Sequence, residues 1–476
     1  MFIAMVVVFV LGYIAIALEH PLRVDKAVPA LMIGTLVWLL YIIGAEQIFT
    51  EGLSTAWNSF VHGGGHAEGA ETGISVMREF IVEHEIIRHL GDIGEILFFL
   101  LGAMTIVEIV DQHDGFKVIT DKIKTTNKVK LLWVISFLTF FMSAVLDNLT
   151  TTIVVIALLR KLISDKQTRW FFASMVVLAA NAGGAWSPIG DVTTIMLWIG
   201  GQITTMAIIT RVFIPSLVTM VIPLIVLSFT MKGDVERPKV NDKDKSLAQP
   251  GERTLMLILG VSGLLFVPVF KTLTHLPPYM GMLLSLSIIW MITEIMHHNK
   301  PDEVKSKLKV TAILRRVEMP TILFFLGILS AVAALESAGQ LHILAKYLDD
   351  KLGNIFLIDL AIGLLSSVVD NVPLVAGAMG MYPVENATTI AALTDPAAIQ
   401  YAHYFMQDGL FWEFLAYCAG TGGSILIIGS AAGVAAMGLE KIDFIWYLKK
   451  ISLWALLGYF AGGGAYYLVA KLVHLP

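Results

Sequence analysis

The chain has 476 residues, of which 56% are hydrophobic and only 15% charged, with a formal net charge of −5 and a single cysteine. A soluble domain carries roughly a quarter charged residues, so this composition excludes an ordinary soluble enzyme, and no basic block points to nucleic acid. One thiol, Cys418, excludes an intramolecular disulfide.

Apolar stretches recur from end to end, at 1–18, 27–44, 93–110, 212–231, 255–270, 279–296, 320–335 and 451–473. Most approach the ~20 residues a helix needs to cross a bilayer, which predicts an all-α polytopic membrane protein. No Lys or Arg precedes Arg23, whereas a secretory signal peptide opens on a positive region. The first stretch therefore reads as a retained helix.

Lys and Arg concentrate at Arg23 and Lys26, between Lys117 and Lys130, at Arg160, Lys161, Lys166 and Arg169, from Lys232 to Arg253, from Lys300 to Arg316, and at Lys441, Lys449 and Lys450. By the positive-inside rule these loops are cytoplasmic. The 46–88 loop is mostly acidic, and 382–413 has no Lys or Arg, so both are expected outside. His62, His66, His84 and His89 stand among Glu68, Glu71, Glu83 and Glu85 in 61–89, a composition suited to sensing pH. Gly63–Gly65 argues there for a surface loop over a helical metal pair.

The 131–159 stretch has basic loops on both sides, so it enters and leaves on one face. A re-entrant hairpin at about 131–160 satisfies that, with Asp147-Asn148 near its turn. A second hairpin is expected at about 352–382, from the outside, around Asp370-Asn371. Irregular backbone at such depth is tolerated where it is buried in protein or lines a wet cavity. About ten crossings then place every basic loop on one side and both termini outside.

Each hairpin is followed by an interruption. Asn181-Ala182-Gly183-Gly184-Ala185-Trp186-Ser187-Pro188-Ile189-Gly190-Asp191-Val192-Thr193-Thr194 carries a glycine pair and a proline, which should break a helix at about 170–199. Gly420–Gly423, with Ser424 and Ser430, should do the same at about 411–440. Ser187, Asp191 and Thr194 stand at i, i+4 and i+7 and are expected on one helical face.

The halves align collinearly. Ile96–Leu100 matches Ile322–Leu326, Asp147 matches Asp370 at a separation of 223, and Asp191 matches Ser430 at 239. Hairpins opening to opposite faces make this an inverted-topology repeat, a pattern of transporters with midplane sites. The boundaries are 1–231 for the first repeat, 232–253 for a cytoplasmic linker, and 254–476 for the second.

A carboxylate inside an apolar helix is read as functional by default. Here Asp147, Asn148, Thr150, Asn181, Ser187, Asp191, Thr193, Thr194, Asp370 and Asn371 supply carboxylate, amide and hydroxyl oxygens. Such a set suits a small hard cation such as Na+ rather than a softer metal. Ser143, Ser366, Ser367, Thr421 and Ser424 are further candidates, though hydroxyls in helices also bond back to their own backbone. Neighbouring buried carboxylates favour holding a proton, so proton and cation compete for one site. Asp191 breaks the repeat symmetry by adding an acid. Glu108 and Glu336, near the ends of equivalent helices, are either proton relays or ordinary helix-end charges.

The run Glu95–Glu108, the segment Leu146-Asp147-Asn148-Leu149-Thr150-Thr151-Thr152 and the stretch Asn181–Thr194 together resemble NhaD-type sodium/proton antiporters of the ion transporter superfamily. The resemblance implies exchange of Na+, and of Li+ beside it, for H+ in a bacterial cytoplasmic membrane, with no other cofactor. It also implies a homodimeric scaffold and an elevator-like transport domain. The same superfamily offers two alternatives. A sodium-coupled carboxylate symporter would carry Ser-Asn-Thr hairpin tips, and an arsenite or other oxyanion permease would not need Asp191-Val192-Thr193-Thr194. No nucleophile–base pair or zinc-binding spacing suggests an enzyme.

Overall fold

The computed structural model describes residues 1–17, 22–62, 73–238, 248–368 and 370–473. His66, Glu68 and Glu71 lie outside the described residues. Among those described the backbone is helical, with isolated bridges at Asn127–Asp234 and Glu385–Met406 and no longer strand.

In chain order the main helices are α1 (Phe2–Ala17), α2 (Ala27–Ile43), α3 (Ile87–Gln112), α4 (Lys128–Leu146), α5 (Asn148–Leu162), α6 (Lys166–Ala185), α7 (Val192–Ile199) and α8 (Thr205–Thr230). They continue as α9 (Pro250–Thr274), α10 (Pro278–His297), α11 (Met319–Ser337), α12 (Gln340–Leu352), α13 (Ile355–Leu365), α14 (Asn371–Met381), α15 (Leu410–Gly422), α16 (Ala431–Glu440) and α17 (Ser452–Val473). Seven helices among the described residues are long and apolar enough to cross a membrane, the longest running Ile74–Gln112 over 39 residues. This is a multi-pass, all-α membrane protein.

That longest helix corrects the expectation of a surface loop over its described part from Ile74 to His89. Ile74–Glu79 and a π-helical turn at Phe80–Ile86 lead directly into α3, so His84 and His89 sit on helix. His89 is buried, and its Nε2 bonds Ser337 Oγ at 3.0 Å.

The chain divides into two compact units, each drawing on both sequence halves. The first comprises Met1–Leu97, Glu318–Ile355 and Pro373–Pro383. Its heart is the crossing of α2 with α11. A Cβ on Gly34 would lie 2.6 Å from the Gly327 carbonyl oxygen, so the two backbones approach as only small residues allow. Trp38 Nε1 donates to Ser330 Oγ (3.1 Å) and the Tyr41 hydroxyl to the Ser337 carbonyl (3.1 Å), closing the polar groups this interface buries.

The second unit comprises Phe98–Val317, Phe356–Val372 and Val384–Pro476. Every residue of α15, and of α6 from Phe172 to Ala185, is buried. Helices apolar on all sides belong at the centre of a packed bundle, and α6 packs on α4, α5, α8, α15 and α16.

The breaks have local causes. Asp147 adopts φ 76°, ψ 161°, a backbone conformation costly for any side chain, and separates α4 from α5. Its carboxylate then caps α5, accepting from Thr150 N (2.8 Å) and Thr150 Oγ1 (2.8 Å). α6 stops at Ala185, and Ser187 precedes Pro188, a position disfavoured for helix. The Gly183–Gly184 pair was expected to be part of that break but lies inside α6. Gly183 is there for packing, since a Cβ would strike the Phe140 backbone. The second break likewise falls later than expected, at 423–430, after Gly422, whose Cβ would strike the Gly363 backbone.

These two collisions are related by the same offsets as the sequence repeat, 223 for the hairpin arms and 239 for the broken helices. So are two hydrogen bonds, Ser143 Oγ to the Ala180 carbonyl (2.6 Å) and Ser366 Oγ to the Ala419 carbonyl (3.0 Å). The broken helices also run in opposite directions. Arg169 and Trp170, at the start of α6, bond Glu440 at the end of α16 (both 3.0 Å). Before α15, Asp408 N donates to the Gln202 carbonyl just past α7 (2.8 Å).

Candidate ion-binding site

Asp191 lies at the centre of the polar groups in the second unit. It is 1% exposed and caps α7, with Oδ1 accepting from Thr193 N (2.9 Å) and Thr193 Oγ1 (2.7 Å). Asn148, the first residue of α5, donates through Nδ2 to Asp191 Oδ2 at 2.5 Å and to Asn181 Oδ1 at 3.1 Å. Asn371, opening α14, donates through Nδ2 to Asp191 Oδ1 at 3.4 Å. Each Asp-Asn pair thus contributes its amide to one carboxylate.

The network continues across the repeat. Asn181 Nδ2 donates to Ser424 Oγ (2.9 Å) and Ser430 Oγ (2.8 Å), joining α6 to the segment between α15 and α16. Ser430 caps α16 as its repeat partner Asp191 caps α7, accepting from Gly433 N at 3.1 Å. The two caps share backbone dihedrals (φ −146°, ψ 147° and φ −147°, ψ 155°), but Asp191 accepts from the residue two on and Ser430 from the residue three on, and they differ in charge. Thr194 Oγ1 closes the first turn of α7 onto the Asp191 carbonyl (2.8 Å).

Other candidates stand differently. Asp147 and Thr150 bond each other at the head of α5, and Asp370 Oδ1 accepts from Val372 N (3.3 Å). Among the described residues Asp147 accepts from backbone and hydroxyl donors, and Asp191 from amide, hydroxyl and backbone donors. Thr151 and Thr152 hydroxyls are buried without a hydrogen-bond partner among the described residues. Ser143, Ser366, Ser367 and Thr421 each donate to a backbone carbonyl, the alternative that sequence alone had left open.

Ser187 requires a correction. Because 186–191 is not helical, Ser187, Asp191 and Thr194 do not share a helical face. Ser187 Oγ donates instead to the Ala144 carbonyl (2.5 Å), pinning the break against the end of α4. Glu108 accepts from Gln112 Nε2 (2.9 Å) within its own helix. Glu336 belongs to the first unit, where its carboxylate approaches Gly380.

Three buried acids stand outside the sequence motifs. Glu413 and Glu440 pair with arginines. Asp359 on α13 is fully buried, and neither carboxylate oxygen has a hydrogen-bond partner among the described residues. Its signal in the sequence is an aspartate inside the apolar run Ile355–Leu365.

A multi-pass helical bundle that buries carboxylates among amides and hydroxyls is the architecture of a membrane transport protein. Comparison with known proteins narrows it. A family model described as citrate transporter (CitMHS) matches residues 13–400. The chain is 44% identical over 472 residues to sodium/proton antiporter 1 of Arabidopsis thaliana, covering 99% of this chain and 73% of that protein. It is 41% identical over 464 residues to sodium/proton antiporter 2 of the same plant, covering 96% and 97%. Against the Na(+)/H(+) antiporter NhaD of Vibrio cholerae the identity is 27% over 482 residues, covering 96% and 89%. The chain belongs to the NhaD-type antiporter family of the ion transporter superfamily.

Proposed function

We propose that this chain exchanges cytoplasmic Na+ for external H+ at the Asp147–Asp191–Asp370 constellation, and accepts Li+ there as well. The observation that carries this reading is Asp191, a buried carboxylate fixed by Asn148 from one Asp-Asn pair and Asn371 from the other, with no cationic donor. Uncompensated negative charge in a dry site attracts either a proton or a hard cation. When Na+ enters, the oxygens of Asp191, Asp147, Asp370, Asn148, Asn181, Asn371, Thr150, Thr193, Thr194 and Ser187 are the available ligands, and the displaced proton leaves. The same charge repels carboxylates, which speaks against citrate as cargo despite the description of the matching family model, and an arsenite permease would not need Asp191-Val192-Thr193-Thr194.

The inverted repeat belongs to this reading. It is supported by the paired collisions at Gly183 and Gly422, the paired bonds from Ser143 and Ser366, and the opposed broken helices. With α4–α5 and α13–α14 taken as hairpins, the remaining long helices, the shorter α1 and α2 and the two broken helices make about ten crossings. That count puts both termini outside. Elevator-like movement and a homodimeric scaffold follow from the superfamily resemblance.

The test is Na+-driven proton movement in proteoliposomes. Added Na+ is expected to release protons from the opposite face. No pH change, with uptake of citrate or arsenite instead, would overturn the reading.

A further inference from the structure

We propose that Asp359 is a second proton-binding carboxyl of this transporter, separate from the Asp147–Asp191–Asp370 constellation and loaded and emptied during the transport cycle. The proposal deepens the exchange reading above and rests on it.

Geometry isolates this side chain. On α13 the positions 359, 363 and 366 recur at i, i+4 and i+7. At 363 and 366 this face meets α15, since Gly363 abuts the Cys418 carbonyl and Ser366 Oγ donates to the Ala419 carbonyl. Phe356, one turn earlier, packs on Phe414 and Tyr467 with ring centroids 5.4 Å apart in both cases. Asp359 is enclosed by this packing and 0% exposed, with both oxygens lacking a donor.

The groups within its electrostatic reach are Cys418 on α15 and Tyr459 and Tyr466 on α17. Both tyrosine hydroxyls are committed elsewhere, Tyr459 to the Leu360 carbonyl (3.0 Å) and Tyr466 to the Leu410 carbonyl (3.2 Å) and Glu413 Oε2 (3.0 Å). Tyr417, also on α15, bonds Thr219 and the Tyr459 carbonyl (2.6 Å each). Arg211 on α8, whose charge reaches Tyr466, is paired with Glu413. An ionised carboxylate without donor or counter-ion is strongly disfavoured in such an enclosure, so Asp359 is held here as the neutral acid.

The repeat makes this placement informative. The position 223 residues earlier is Ser136 on α4, likewise 0% exposed and with its hydroxyl unpartnered. Both repeats therefore keep a polar group at a buried point where packing provides no partner, and the second repeat makes that group an acid. At the ion site the exchange runs the other way, with Asp191 in the first repeat and Ser430 in the second. At each of these two pairs of positions one half carries an aspartate where the other carries a serine.

Loading forms one O–H bond on Asp359 with a proton taken from water and removes its charge. Emptying breaks that bond, returns the proton to water and leaves the carboxylate. Nothing is oxidised or reduced.

The experiment compares the full chain with Asp359→Asn in proteoliposomes, reading the H+:Na+ ratio from the imposed gradients at which net flux vanishes. The ratio is expected to fall by one proton in the variant, and an unchanged ratio would overturn the proposal. Absence of Na+-driven proton movement in the unaltered protein would instead sink the exchange reading. Infrared titration of the unaltered protein is the second measurement, and it needs no transport. It should reveal a carboxylic-acid carbonyl band that disappears as pH rises and shifts in frequency in Asp359→Glu. A band assigned by that shift but persisting at every pH at which the protein stays folded would mark a fixed structural acid and overturn the proposal.

Discussion

Replacing Asp191 with asparagine tests the centre of the site, because the substitution keeps the size and one acceptor of the side chain. An asparagine oxygen facing Thr193 retains the capping bonds at 2.9 and 2.7 Å, so α7 should still start at the same residue. The amide nitrogen must then face Asn148 Nδ2, whose present distance to Oδ2 is 2.5 Å, setting donor against donor. Asn148 keeps its bond to Asn181 at 3.1 Å, so the main loss is one hydrogen bond to a charged group. That is about 1.5–3 kcal/mol, or roughly 10- to 150-fold in an equilibrium constant, before the missing charge on the cation is counted. Half-saturating Na+ in proteoliposomes should rise by at least that range, and the pH dependence of exchange should change with it. Ser430→Ala is the control. It removes an acceptor for Asn181 (2.8 Å) and a helix cap (3.1 Å), a stability cost of about 0.5–2 kcal/mol. Equal effects of the two substitutions on Na+ dependence, or no effect of Asp191→Asn, would remove Asp191 from the mechanism.

Three further outcomes follow from packing and charge. Gly422→Ala drives a Cβ into the Gly363 backbone, so despite better helix propensity it should destabilise by about 1–3 kcal/mol, read as a lower unfolding midpoint in detergent; an unchanged midpoint would mean that the α13–α15 contact is looser than described. Glu440→Gln leaves Arg160 (2.7 Å) and Arg169 (3.0 Å) without the buried charge they share, and the loss should be about 2–3 kcal/mol, smaller in high salt because Arg160 is half exposed. His113, just beyond α3, has its pKa lowered chiefly by burial, and its Nε2 lies 2.7 Å from His297 Nε2. Because the unfolded chain takes up this proton near pH 6.5 and the folded protein resists it, stability should fall as pH drops below about 6.5 and stay level above it. His113→Asn should flatten that slope in a thermal-unfolding series, and an unaltered slope would show that other groups set it.

Much of the architecture was legible because a bilayer imposes a length and a composition. The apolar stretches, the aspartates within them and the helix interruptions near 186–191 and 423–430 could be read without coordinates, and the offsets of 223 and 239 recur in the structure as matched contacts. Boundaries were less legible. Gly183 and Gly422 are permissive residues, and sequence does not distinguish a glycine that breaks a helix from one that lets two backbones touch. Ser187 shows the same difficulty, since its spacing from Asp191 implied a shared face only while the intervening residues were taken as helical.

The sequence by itself determined that this chain is a multi-pass helical membrane protein with carboxylates and amides in its apolar segments, because each of these is a property of local composition and spacing; its NhaD-type motifs were legible as a resemblance. Only the tertiary structure decided which of those groups meet. Asn148 reaches Asp191 across 43 positions, Asn371 reaches it across 180, and Asn181 reaches Ser430 across 249. Partnership at such separations depends on how helices pack. For the same reason sequence could not tell that Asp191 is held by two amides while Asp359, an aspartate as deeply buried, is held by none among the described residues.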